Sequence, residues 1–118
     1  MSFRERRKAP RVDIDLPISL EGADGEISGK TLNISSSGIY LQLPHFIEPM
    51  TKVRMGFAIP ESSDDGSEGL VQFDGIVVRT EPEAPDESIE NYRMAIFFTE
   101  LPPASLDIIK RFISKNTK

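Results

Sequence analysis

The chain has 118 residues, no cysteine and one histidine, which excludes disulfides, thiolate nucleophiles and multi-histidine metal sites. Hydrophobic residues make up 38% and charged residues 28%, the balance of a folded globular domain rather than a disordered chain. The formal net charge of −5 divides into +4 over residues 1–11 and −9 over the rest, so an acidic body that repels long polyanions carries a short basic arm suited to a compact anion.

The basic start, Met1 to Arg7, has no apolar stretch behind it and is not a signal peptide, and no apolar run approaches the ~20 residues of a membrane helix. A cytoplasmic protein is expected. Residues 1–12 read as a flexible basic arm and residues 13–118 as one folded domain. Residues 14–21 alternate apolar and polar with period two, a half-buried strand in which Pro17 suits a sheet edge. A turn at 22–25 leads to a less regular strand over 26–34, interrupted by Ser35-Ser36-Ser37-Gly38. The alternation resumes over 39–43 and again over 51–59. Residues 60–69 are acidic and rich in Ser and Gly, and read as a mobile loop. Residues 70–80 form a fifth strand, in which Gly75 marks a bulge or a close approach. Residues 81–90 hold two prolines and five acids and read as another exposed loop. A sixth strand spans 91–99.

Leu106, Ile109, Phe112 and Ile113 then recur at helical spacing, with basic residues toward the end, which predicts one amphipathic helix over about 102–116. Six short strands and a terminal helix predict an all-β fold, a six-stranded antiparallel barrel with one C-terminal α-helix. Closing the sheet removes its exposed edges. The interior of so small a barrel is filled by side chains, so a ligand binds outside it.

The sequence argues against catalysis. His45 lies between Pro44 and Phe46 in a loop, no Gly-x-Ser-x-Gly elbow surrounds any serine, and no glycine-rich phosphate loop occurs. Acids such as Asp64 and Asp65 lie in a loop that positions nothing rigidly. Neither an enzyme nor a bound cofactor or metal is expected.

Two motifs are sharper. Arg7-Lys8-Ala9-Pro10-Arg11 places two arginines four apart, preceded by Arg6. Pro10 fixes its own φ and disfavours helix at Ala9, so the segment is extended. Guanidinium groups are planar forks that pair with phosphate oxygens or with the O6/N7 edge of guanine. The second motif is Asn33-Ile34-Ser35-Ser36-Ser37-Gly38. Asn33 and Ser35 are two apart, which places both on one face of a strand, where an amide and a hydroxyl are able to read a base edge; the competing reading of Ser-Ser-Ser-Gly is a plain turn. Gly38 permits positive φ or close backbone approach.

Together, in this order, the two motifs resemble the PilZ domain family, bacterial domains that bind the second messenger cyclic di-GMP. The family pattern is Arg-x-x-x-Arg followed by Asp/Asn-x-Ser-x-x-Gly. Gly75-Ile76-Val77-Val78-Arg79 is similar to the family's Gly-x-Val-Val-Arg strand. Asn91 to Phe98 is similar to its last barrel strand, with Ala95 where glycine is usual. The resemblance covers nearly the whole chain. It implies a six-stranded barrel in which Arg7 and Arg11 clamp the dinucleotide, Asn33 and Ser35 contact a guanine, and Gly38 holds the turn. It implies a cyclic di-GMP receptor whose arm is reordered by the ligand and signals in trans to a protein partner: a motor, pilus, polysaccharide or regulatory component. The alternative is an adaptor that acts through protein contacts without the nucleotide. Arg6, beside the clamp, is positioned to stack on a second ligand molecule.

Overall fold

In the computed structural model, residues 11–22, 25–59 and 69–116 are described. The period-two alternation is the alternation of burial. In β5 (Lys52–Ile59) Val53, Met55, Phe57 and Ile59 are buried while Lys52 and Arg54 face solvent. The other strands are β1 (Val12–Asp13), β2 (Pro17–Gly22), β3 (Gly25–Ile34), β4 (Gly38–Leu43), β6 (Gly69–Glu81) and β7 (Tyr92–Glu100), and a single helix, α1 (Pro103–Asn116), follows. The strands run β3-β2-β5-β6-β7-β4, and β4 pairs back onto β3, with every pairing antiparallel. This closes a six-stranded barrel. Ile34, Ile39, Leu41, Val71, Val77 and Met94 are among the side chains that fill it.

The seventh strand, β1, lies on β3 beyond the end of β2, with Val12 opposite Ile34 and Asp13 opposite Asn33. It crosses the boundary between arm and barrel drawn at residues 12 and 13, because Val12 is buried in the core. Between β1 and β2 the chain is tied to β3 by two main-chain bonds, from the Ile14 amide to the Leu32 carbonyl and from the Thr31 amide to the Leu16 carbonyl, and by a side chain. The buried Thr31 hydroxyl accepts from the Leu16 amide and donates to the Leu16 carbonyl, each at 2.9 Å. Pro17 therefore does not mark a sheet edge. It opens β2, which pairs on both sides, and the first residue of a strand is the other position proline tolerates.

Gly75 shows the close approach expected of it. A Cβ there would sit 2.6 Å from Ile96 Cγ2, and the register shifts beside it. Proline opens α1, where its missing N–H costs nothing. The helix packs along β6, burying Ile109 and Ile113, and the Ser105 hydroxyl accepts from the Gln72 amide at 3.0 Å. The loop after β6 is braced within itself. The Asp86 carboxylate accepts from the Ser88 amide and hydroxyl, which holds its pKa below the ordinary value, and Tyr92 Oη bonds the Asp86 backbone. The 60–69 loop lies outside the described residues except for Gly69, which begins β6.

Candidate ligand-binding site

The register of β3 decides which of its side chains face out. Lys30 and Thr31 pair with Gln42 and Leu41, then Asn33 and Ile34 pair with Tyr40 and Ile39, so Leu32 is an extra residue. The bulge shifts the pattern by one. It puts Ile34 in the core and Asn33 on the outer surface, where an unbroken strand would do the reverse. The same device recurs in β6, where Val77 pairs with Ile96 and Arg79 with Ala95, and the register skips Val78. Tyr40 also pairs with Ala95. The two bulges thus align Asn33, Tyr40, Ala95 and Arg79 in one row across four strands. The next outward row is Gly38, Phe97 and Ile76. The row between them, Ile34, Ile39, Ile96 and Val77, is buried.

The first of the outward rows, with Gly38 and Phe97 of the second, floors a cleft of about 520 Å³ that Arg11 and Ser37 also border. Arg11 is brought there by the pairing of β1 with β3, and its guanidinium donates to Asn33 Oδ1 at 2.7 Å. Across the floor, Tyr40 Oη donates to Glu81 Oε1 at 3.0 Å, and burial and that carboxylate push the phenol pKa up. Glu81 also pairs loosely with Arg79, at 3.7 Å. Among the described residues, the charged ones that line the cleft are Arg11 and Arg79, so it is locally cationic on an acidic body. A second cleft, of about 630 Å³, is larger, but its border carries Glu21, Glu26, Asp74 and Glu100 against Arg54 alone. Charge favours the smaller cleft for an anion.

Arg11, Asn33 and Gly38 border one cleft. Arg6 and Arg7 lie outside the described residues. Ser35 does not share a face with Asn33, because the strand ends at Ile34 and the chain turns. Ser35 is buried, its Oγ accepts from the Ser37 amide at 3.2 Å and lies 3.1 Å from Ser37 Oγ, and its own amide donates to the Gly38 carbonyl at 2.9 Å. It braces the turn, and Ser37 is the serine that borders the cleft. Gly38 is needed for close approach rather than for positive φ, since a Cβ there would sit 2.5 Å from the Ile96 carbonyl oxygen. The motifs do not signal Tyr40, Arg79 or Phe97, because the pairing of β4 with β7 and of β7 with β6, and for Arg79 the bulge in β6, bring them to the cleft. Among the described residues no three His, Cys, Asp or Glu side chains converge as a metal site, and no helix is long and apolar enough to cross a membrane.

The PilZ domain family matches residues 5–115. The chain belongs to that family. Several solved structures share the fold of this PilZ domain. The inhibitor of motility MotI/DgrA from Bacillus subtilis superposes with a TM-score of 0.76 at 20% identity, over 93% of this chain and 50% of that one. This chain therefore spans half the length of that neighbour. The PilZ domain of YcgR from Escherichia coli, solved with c-di-GMP, gives 0.67 at 15% identity over 94% and 91%. The PilZ domain of CeSA from a cellulose-synthesizing bacterium gives 0.56 at 18% identity over 90% and 96%. No curated protein matches the chain.

Proposed function

We propose that this PilZ domain is a receptor for cyclic di-GMP, bound at the cleft over β3, β4, β7 and β6 that Arg11 borders, and that it binds the nucleotide without transforming it. One observation carries the reading. Arg11 of the first motif and Asn33 of the second, distant in sequence, meet through a 2.7 Å hydrogen bond at the edge of a locally cationic cleft. The YcgR domain with this fold was solved with c-di-GMP, which supports the same ligand here. Arg7 and Arg11 grip the phosphates and a guanine edge, Asn33 contacts a guanine, and Gly38 leaves the approach open. Ser35 contributes to the site by holding the turn. Arg6 stacks on a second ligand molecule. Binding two negative charges draws the arm against the barrel, and the ordered arm presents a new surface to a protein partner in trans.

Isothermal titration calorimetry tests this. Wild-type protein takes up cyclic di-GMP and not GTP. Arg7→Ala and Arg11→Ala each remove a charge-assisted contact of about 1.5–3 kcal/mol, so affinity falls about 10- to 150-fold. The stoichiometry reports on Arg6, with two ligands per chain expected. No heat and no thermal shift at high ligand concentration would sink the receptor reading and leave the adaptor, for which the resemblance in fold to a motility inhibitor is the supporting observation.

A further inference from the structure

Phe97 is 53% exposed on a strand whose next residue, Phe98, is buried. The core therefore has its aromatic residue, and Phe97 does nothing for it. Ile76 of β6 flanks the ring on one side, and the reason its other side stands open is in the register. Its direct partner on β4 is Gly38, which has no side chain to lay over it. Ala95, two positions back along β7 on the same face, ends at a methyl group. Gly38 cannot be enlarged, because any Cβ meets the Ile96 carbonyl oxygen at 2.5 Å. The opening beside the ring is thus built into the backbone packing. The ring borders the same cleft as Arg11 and Asn33, and the strand carrying it lies two strand spacings, about 10 Å, from β3.

We propose that Phe97 is a base-stacking platform of this cleft. It takes the flat face of a guanine on the side that Gly38 leaves open, while Arg11 and Asn33 hold the phosphate and base-edge groups. The inference rests on the cyclic di-GMP reading for the identity of the ligand. Stacking suits an exposed phenyl ring because a base has an apolar π-face and a polar rim, so it covers the ring and keeps its edges hydrogen-bonded.

The chain contains no tryptophan, so Phe97→Trp installs a single fluorescent reporter in the cleft. Titration with cyclic di-GMP is expected to quench its emission, with the midpoint measured by calorimetry on the same variant. Leu70→Trp, at a 59% exposed position bordering the acidic cleft, is expected to show no quenching. Phe97→Ala is expected to lose about 5- to 150-fold in affinity, while its melting temperature without ligand stays near wild type and Phe97→Tyr retains binding. Wild-type affinity in Phe97→Ala, or equal quenching in both tryptophan variants, overturns the stacking role and leaves the receptor reading intact. Failure of the wild-type protein to bind cyclic di-GMP overturns both.

Discussion

Asn33 and Ser35 sit two positions apart and do opposite work. Asn33 is half-exposed and engages Arg11, whereas Ser35 is buried and spends its hydroxyl on the turn that follows. The distinction is measurable. Ser35→Ala removes the acceptor of the Ser37 amide, a loss of about 0.5–1.5 kcal/mol. Each kcal/mol lowers the melting temperature of a domain near this size by roughly 4–8 °C. The drop is expected in thermal unfolding without ligand, and Ser37→Ala, at an exposed position, is expected to melt close to wild type. A variant of Ser35 that melts like wild type would return the residue to the ligand. The motif was legible at this scale as a pattern of residue types. Which serine faces the cleft was not, because spacing of two implies a shared face only while the strand continues.

At the scale of elements, the decisive features are the two bulges, each one extra residue in a strand. They turn Asn33 and Arg79 outward and put Ile34 and Thr80 in the interior. The bulge in β3 falls where the chain between β1 and β2 is hooked to it, and Thr31 makes that hook with both hydroxyl functions. Thr31→Val keeps the shape and removes the hydroxyl. It leaves the Leu16 amide without its partner and is expected to cost about 1–3 kcal/mol in urea denaturation, with Thr31→Ser recovering most of it. Equal stability of Thr31→Val and wild type would show that the hook is dispensable. The strand order of alternation and the helical spacing near the end were readable from periodicity, and the barrel with its C-terminal helix is what they predict. The extra residues Leu32 and Val78 leave no such trace, since each looks like any other apolar residue of a strand.

At the scale of the whole molecule, charge is sorted between faces. A chain of net −5 presents Arg11 and Arg79 around one cleft and mostly acids around the other. Ligand binding to the cationic face stabilises the fold by mass action. Cyclic di-GMP at 100 times its dissociation constant adds about 2.7 kcal/mol. A rise in melting temperature on the order of 10 °C is therefore expected in a thermal-shift assay. Arg54→Gln, which alters only the acidic cleft, is expected to show the same rise, and its loss in that variant would place the ligand on the wrong face. The sequence by itself determined the strand alternation, the terminal helix, the motifs and the charge split, because each is a local pattern that the period of a strand or helix converts directly into a face. Only the tertiary structure decided that β4 closes onto β3, that Ser35 turns inward, and that Tyr40, Arg79 and Phe97 join Arg11 and Asn33. Those outcomes depend on the register between strands far apart in the chain, and register is set by how the whole core packs.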